Sequence, residues 1–156
     1  MDKGVVILAL KKQHYACSAF NLAISIRFYN PNIKIALLTD NTHLQCFLPV
    51  HFSVFDWIKV VNSEDYTDIY GFSPAKAKLS IDKYTMYDKT LYIDADSICL
   101  RDIEPLFNSL SGNSFKSCII PDYTQWVDEK DFKDFFGVDQ GFTINSSWYY
   151  FLLSSK

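Results

Sequence analysis

The sequence predicts an α/β protein with a mostly parallel central sheet and helices on both faces. Short apolar segments alternate along the chain with segments of helical periodicity, which is the pattern of successive β-α-β units. The first apolar segment is hydrophobic at consecutive positions, as expected for a strand that is covered on both faces. The length of 156 residues suits one domain, and 49% of the residues are hydrophobic, which is enough to build a core.

Two strand–helix units are expected in the first half of the chain. Gly4 to Leu10 is the apolar first strand, and the apolar residues between His14 and Tyr29 recur at helical spacing. That helix should stop at Asn30-Pro31-Asn32, because Pro31 disfavours helical geometry in the residue before it. A second strand is predicted from Ile33 to Thr39, and a short third strand from Ile58 to Val61.

The second half of the chain begins with a polar, turn-like stretch over residues 62–73. Ser73 and Pro74 then predict a helix start, with Ser as the cap and Pro at the first helical position, and the helix should reach about Tyr87. A fourth strand, from Thr90 to Ile93, is rich in β-forming residues. The remaining predicted elements are helical turns over Ile103–Leu110, a strand over Ser117–Ile120, a helix over Asp128–Phe136 and an extended segment over Ile144–Leu153.

Composition and charge exclude several classes of function. Aromatic residues make up 17% of the chain and the net charge is only −3, so the bulk of the chain is not disordered. Lys plus Arg number 15 against 18 Asp plus Glu, which lacks the basic excess that nucleic-acid binding needs. The four cysteines form no Cys-x-x-Cys pair, which argues against zinc. No apolar stretch reaches membrane length, and we expect a cytoplasmic protein without a transmembrane segment.

Asp94 and Asp96 directly follow the predicted fourth strand, and in parallel sheets ligands bind beyond the carboxyl ends of the strands. In an extended chain, residues two apart project to one side with their Cα atoms roughly 6.5 Å apart. Two converging carboxylates repel each other unless a cation lies between them, and hard oxygen ligands select Mg²⁺, Mn²⁺ or Ca²⁺. In a chain this rich in Asp, about one Asp-x-Asp is expected by chance, so a solvated turn or a helix cap is the alternative.

A longer pattern surrounds the acidic pair. It consists of Lys78-Leu79, then Tyr87-Asp88-Lys89-Thr90-Leu91-Tyr92-Ile93-Asp94-Ala95-Asp96-Ser97-Ile98, then Asp102-Ile103 and Leu106-Phe107. This pattern resembles the core of the glycogenin-like family 8 glycosyltransferases, which have the GT-A fold. Weaker similarities are Tyr15-Ala16-Cys17-Ser18-Ala19 at a helix start, Ile35-Ala36-Leu37-Leu38-Thr39-Asp40, and Asn145-Ser146-Ser147, which is similar to a family turn of Asn-Ser/Thr-Gly.

The resemblance implies that a hexose is transferred from a UDP-sugar to a glycan, protein or lipid acceptor with retention of configuration. Asp94 and Asp96 would bind Mn²⁺ or Mg²⁺, with Asp96 the more direct ligand and Asp94 also near the ribose. Tyr15 would stack on uracil, and Lys78 would lie near the sugar-phosphate. The backbone of Ala9 and Leu10 would read the base, and Ala95 would also contact the nucleotide. Asn145 and Ser146 would form the wall for the donor sugar or the acceptor. No general base is implied.

Two departures from the family pattern stand out. The family's third metal ligand is a histidine in a C-terminal motif, whereas the three histidines of this chain, His14, His43 and His51, all precede the acidic pair. Ser147 also stands where the family usually has Gly, which would allow a closer approach of the sugar. We therefore expect a single GT-A-like domain over residues 1–156 that lacks the C-terminal part of the family.

Other interpretations remain open at this point. A nucleotide-sugar-binding module without transfer activity is the first alternative. A second is a haloacid-dehalogenase-type phosphatase, in which Asp94 would be the nucleophile and Asp96 the acid/base. Without the resemblance, Tyr15 would be assigned as a core tyrosine at a helix start and Lys78 as an exposed helix lysine.

Overall fold

The computed structural model describes the backbone of residues 2–45, 49–109, 115–120 and 143–152, and the side chains of residues 2–42, 44–45 and 50–108. The strands are β1 (Lys3–Ala9), β2 (Lys34–Thr39), β3 (Trp57–Val60), β4 (Thr67–Asp68), β5 (Gly71–Phe72), β6 (Lys89–Asp94), β7 (Phe115–Ile120) and β8 (Thr143–Leu152). The helices are α1 (Gln13–Tyr29), α2 (Asn41–Leu44), α3 (Pro49–Phe52), α4 (Pro74–Leu79), α5 (Ile81–Tyr84) and α6 (Glu104–Ser109), with a 3₁₀ turn over Ser63–Asp65.

Within the described ranges, six strands form one sheet in the order β3-β2-β1-β6-β8-β7. Strands β3, β2, β1 and β6 are parallel, whereas β8 is antiparallel to both of its neighbours. The predicted mostly parallel α/β sheet is therefore confirmed. The register pairs Leu8 of β1 with Asp94 of β6, so the carboxyl ends of these two strands lie at the same edge of the sheet.

Strand β1 is apolar at consecutive positions because a core lies on each face of the sheet. Val5 and Ile7 belong to the core formed with α1, while Val6 and Leu10 belong to the core formed with α4 and α5. The side chains of Val5, Val6 and Ile7 are 0% exposed. Each contributes about 1.5–3 kcal/mol to folding through the apolar surface that it removes from water.

A charged cluster joins α1 to the edge of the parallel sheet. The Arg27 guanidinium donates hydrogen bonds to the carbonyl oxygen of Val54, at 3.2 Å, and to the Asp56 carboxylate. Asp56 also accepts the backbone N–H of Ile35 at 2.8 Å. Burial raises the pKa of Asp56, but the Ile35 N–H and the Arg27 guanidinium outweigh burial and hold that pKa below its usual value.

The single helix predicted from Ser73 to about Tyr87 is interrupted at Ser80. Its start is as predicted, because the Ser73 hydroxyl accepts the backbone N–H of Lys76 at 3.4 Å and Pro74 follows it. At the interruption, the Ser80 hydroxyl donates to the carbonyl oxygen of Asp65 at 3.2 Å. This contact crosses 15 residues of sequence, so helical periodicity could not reveal it.

The segment over residues 62–73 is more ordered than the turn-like stretch that the sequence predicts. Strands β4 and β5 pair as a small antiparallel hairpin. Before it, the Asp65 carboxylate accepts hydrogen bonds from the Lys83 ammonium, at 2.5 Å, and from the Tyr84 hydroxyl, at 2.6 Å. These two donors lower the pKa of Asp65 and tie the 3₁₀ turn to α5.

Tyr87 lies two residues before β6 and is buried, with 4% of its surface exposed. Its ring lies against Gly4, where an added Cβ atom would stand 2.4 Å from the ring. The Tyr87 hydroxyl is buried without a hydrogen-bond partner among the described residues. Burial raises the pKa of Tyr87 to about 12, since the phenolate cannot be hydrated there.

The other predicted elements agree with the structure to within a few residues, apart from the helix predicted over Asp128–Phe136, which lies outside the described residues. The short helices α2 and α3 were not predicted. In the part of the chain that the structure describes, no helix combines the length and the apolar character that a membrane crossing requires.

Candidate functional site

A cleft with a volume of about 140 Å³ opens at the carboxyl ends of β1 and β6. That volume is below the roughly 300–1,000 Å³ of pockets that enclose a whole drug-sized ligand, so it suits part of such a ligand. Its walls come from both strand ends, the first turn of α1, the hairpin and α4. The lining residues are Leu8, Leu10, Tyr15, Phe72, Pro74, Lys78, Tyr92, Asp94, Ala95 and Asp96.

Asp94 is the last residue of β6, and its carboxylate is held by two side chains of the cleft. The Lys78 ammonium lies 2.9 Å from one carboxylate oxygen and 3.0 Å from the other. The Tyr92 hydroxyl donates to the first of these oxygens, which it reaches because residues two apart on a strand share a face. Lys78 and Asp94 are 22% and 21% exposed, so this ion pair is partly shielded from water.

Asp96 lies in the turn that follows β6, and its carboxylate is exposed. The turn is closed by the backbone N–H of Ser97, which donates to the carbonyl oxygen of Asp94 at 3.1 Å. Among the described residues, no side chain hydrogen-bonds or ion-pairs with the Asp96 carboxylate. Asp96 therefore presents two oxygen atoms to a ligand from solvent.

The donor set of this pair fits a hard divalent cation only in part. Among the described residues, no group of three His, Cys, Asp or Glu side chains is arranged to hold a metal ion. Asp94 and Asp96 supply two carboxylates, and proteins often bind Mg²⁺ through one or two carboxylates while water and substrate phosphates fill the other positions. The residues present therefore fit a cation that arrives together with a phosphate ligand.

The segment after the acidic pair is anchored on α1. The Ser25 hydroxyl accepts the backbone N–H of Cys99 at 2.9 Å. Asn30, which is 8% exposed at the end of α1, accepts the backbone N–H of Ile103 at 2.9 Å and donates to the carbonyl oxygen of Arg101 at 3.3 Å. These bonds determine how the chain leaves Asp94 and Asp96.

Two plant proteins show sequence similarity to this chain, while no protein-family model matches it. A protein of Arabidopsis thaliana named UDP-glucuronate:xylan alpha-glucuronosyltransferase 4 is 33% identical over 150 residues, covering 82% of this chain and 26% of the relative. UDP-glucuronate:xylan alpha-glucuronosyltransferase 2 of the same plant is 29% identical over 122 residues, covering 71% of this chain and 20% of the relative. The chain thus spans about a quarter or less of the length of these relatives.

Solved structures of glycosyltransferases share the fold. The galactosyltransferase LgtC in complex with donor and acceptor sugar analogs superposes with a TM-score of 0.69 at 22% identity, covering 97% of this chain and 58% of that one. Glucosyl-3-phosphoglycerate synthase of Mycobacterium tuberculosis in complex with UDP gives a TM-score of 0.52 at 15% identity, covering 97% of this chain and 56% of that one.

The chain is a homologue of the family 8 glycosyltransferases. It has their GT-A fold.

Six of the residues predicted for the site of this family 8 homologue line the cleft: Leu10, Tyr15, Lys78, Asp94, Ala95 and Asp96. Tyr15 is half-buried and packs against the core around α1, and its ring lies beside that of His14 in a tilted arrangement, with the centroids 4.3 Å apart. Tyr15 is therefore both a core residue and a wall of the cleft. Lys78 is not the exposed helix lysine of the alternative interpretation, since it is ion-paired and mostly covered.

Ala9 does not line the cleft of the GT-A domain. It is 0% exposed and belongs to the core around α1. Its carbonyl oxygen accepts the Thr39 hydroxyl at 2.9 Å. The alternation of side chains along β1 explains this position, because Leu8 and Leu10 face the cleft side while Ala9 faces the opposite core. The predicted contact of the Ala9 backbone with the base stays a prediction.

Asn145 and Ser146 lie within strand β8 and not in the turn that the family resemblance predicts. The pairing of Ile144 with Ile119 of β7 extends the strand through this segment. Ile93 and Trp148 form the last residue pair between β6 and β8. The backbone of Asn145 and Ser146 lies beyond this pair, at the same edge of the sheet as Asp94. Their assignment to the donor sugar or acceptor stays a prediction.

Four residues that line the cleft are not among those predicted for the site: Leu8, Phe72, Pro74 and Tyr92. Tyr92 had a readable signal, because it precedes Asp94 by two positions on a strand and therefore shares its face. Phe72 had none, because it reaches the cleft through a hairpin that the sequence did not predict.

Proposed function

We propose that this chain binds a UDP-sugar together with Mn²⁺ or Mg²⁺ in the cleft and transfers the hexosyl group to an acceptor with retention of anomeric configuration. The observation that carries the proposal is the convergence of Tyr15, Lys78, Asp94 and Asp96 on one cleft at the carboxyl edge of the sheet. The similar plant proteins are named for UDP-glucuronate, and one solved structure with the same fold contains UDP. Both findings support a UDP-sugar as the donor.

The side chains of the cleft have distinct roles in this proposal. Tyr15 offers an aromatic face, and stacking of a base on such a face is worth about 1–3 kcal/mol. Lys78 provides a compact positive charge for a phosphate group. Asp94 and Asp96 would hold the divalent cation, which when bound stabilises the negative charge that develops on the departing diphosphate. Because no proton has to reach the diphosphate, the cleft needs no acid at that position.

The second candidate is a module that binds a nucleotide sugar without transferring the sugar. The observation that favours it is the incomplete metal site, since the described residues place no third protein ligand beside Asp94 and Asp96. The acceptor and the cytoplasmic location that the sequence analysis predicts both stay predictions.

The test is a titration of UDP with and without Mn²⁺, followed by assays of UDP-sugar hydrolysis and of p-nitrophenyl phosphate cleavage. Metal-dependent UDP binding with release of sugar supports the transferase. Binding without release supports the second candidate, and cleavage of the phosphate ester alone supports the haloacid-dehalogenase-type alternative.

Replacement of Asp96 is the sharpest variant for this test. We expect Asp96→Asn to remove the gain in UDP affinity that Mn²⁺ produces, because the amide no longer attracts the cation. Asp82→Asn is the matched control, since Asp82 is an exposed aspartate on α5 outside the cleft. An unchanged Mn²⁺ effect in Asp96→Asn would refute the assignment of this carboxylate.

A further inference from the structure

The Lys78 ammonium lies where a divalent cation bound to Asp94 would lie. Its nitrogen is almost equidistant from the two carboxylate oxygens, at 2.9 and 3.0 Å, which is the position of a cation held bidentately by one carboxylate. The same nitrogen is 5.6 Å from the centroid of the Tyr92 ring, whose face attracts cations. The chain itself therefore supplies a positive charge that neutralises Asp94.

A divalent cation and the Lys78 ammonium cannot both occupy this position, because like charges in a partly shielded site repel strongly. A cation that arrives alone must displace the ammonium and break its ion pair with Asp94. A cation that arrives with a diphosphate meets a different situation, because the phosphate oxygens offer the ammonium a new partner. The lysine side chain can make this move, since its charge sits at the end of a flexible four-carbon stem.

We propose that Lys78 is a resident counter-ion of Asp94 that passes to the diphosphate when nucleotide and metal bind together, so that the two ligands bind cooperatively. This inference rests on the proposed function, because it requires that Asp94 receives a divalent cation and that the ligand carries a diphosphate. By thermodynamic linkage, the factor by which UDP tightens Mn²⁺ binding equals the factor by which Mn²⁺ tightens UDP binding.

Tyr92 keeps Asp94 in place during the exchange. The Tyr92 side chain is 1% exposed and packed in the core on the α4 and α5 side of the sheet, so its hydroxyl has a fixed position. It donates to one oxygen of Asp94, and a carboxylate has about four lone-pair sites, so others stay available for a cation. The ammonium can therefore leave while the carboxylate stays where it is.

The experiment measures Mn²⁺ binding without any turnover, by calorimetry or by the electron paramagnetic resonance signal of free Mn²⁺. It compares the intact chain with Lys78→Met, each without nucleotide and with saturating UDP. We expect Lys78→Met to bind Mn²⁺ alone roughly 5–150-fold more tightly than the unaltered chain, the usual range for coupling between two ligands. We also expect it to lose most of the tightening that UDP produces.

Two control variants make the result specific. Lys76→Met removes a positive charge from the same helix, and the Lys76 ammonium donates to the carbonyl oxygen of Thr67 at 2.8 Å instead of reaching the cleft. It should leave Mn²⁺ binding unchanged. Lys78→Arg keeps the charge, so its affinity for Mn²⁺ without nucleotide should stay as low as in the unaltered chain. Circular dichroism melts establish that each variant folds, and Lys78→Gln replaces Lys78→Met if the latter does not.

Each other outcome overturns the inference. If Lys78→Met binds Mn²⁺ alone no more tightly than Lys76→Met, or if Lys78→Arg tightens as much as Lys78→Met, the ammonium is not a counter-ion in competition with the metal. If the unaltered chain binds Mn²⁺ in the presence of UDP but Lys78→Met shows no higher affinity for Mn²⁺ alone, only this inference fails. If the unaltered chain binds no Mn²⁺ even with UDP, the proposed function fails with it.

Discussion

Replacing Asn30 with alanine should destabilise the segment that follows the acidic pair. The variant removes the only acceptor found for the backbone N–H of Ile103 among the described residues, and a buried N–H without a partner costs about 1–3 kcal/mol. The carbonyl oxygens of Ile26 and Arg101 also lose the Asn30 amide as a hydrogen-bond donor. Each retains another donor: the backbone N–H of residue 30 for Ile26, at 2.7 Å, and the Cys99 thiol for Arg101, at 3.1 Å. These oxygens lose one partner each, a smaller cost of about 0.5–1.5 kcal/mol per bond.

We therefore expect the free energy of unfolding to fall by about 2–6 kcal/mol, the sum of these costs, against the 5–15 kcal/mol that is typical of natural domains. For a chain of 156 residues this corresponds to a melting temperature about 4–24 °C lower. The connection after Asp94 and Asp96 should also become less rigid in the variant.

Urea unfolding followed by circular dichroism measures this change as a shift of the midpoint at constant slope. Asn32→Ala is the matched control, because Asn32 is an exposed asparagine two residues away, and its replacement should change stability by less than about 0.5 kcal/mol. Equal stability of the two variants would show that the Asn30 side chain does not hold the segment.

Two further predictions concern stability. Tyr87→Phe removes a buried hydroxyl that has no partner among the described residues, so the melting temperature should stay the same or rise by about 2–4 °C, and a clear fall would reveal a partner for that hydroxyl. The pKa of Asp56 is lower in the folded chain than in the unfolded chain, where it is about 3.9. The contacts of Asp56 therefore stabilise the fold at a pH above the unfolded-state pKa, and this stabilisation is lost as the pH falls through the folded-state pKa. The stability curves of Asp56→Asn and the unaltered chain should therefore be separate at pH 7 and converge in acid, and a constant difference over that range would contradict the assigned pKa shift.

Elements that depend on local pattern can be predicted from the amino-acid sequence alone. The consecutive apolar residues of β1, the helical spacing of α1 and the Ser73-Pro74 start of α4 each act over a few neighbouring residues, so they can be read without the fold. The position of Asp94 and Asp96 also follows from local pattern. They come directly after a buried strand, and parallel strands end at one edge of the sheet.

Which side chains meet depends on the packing of elements that are distant in sequence. The pairing of Lys78 with Asp94 spans 16 residues and the bond from Ile103 to Asn30 spans 73, and both depend on how α4 and α1 pack on the sheet. The break at Ser80 and the burial of Ala9 on the core face have the same origin, since each is set by a contact from another element. Local periodicity specifies which face of an element is apolar, but packing decides what that face touches.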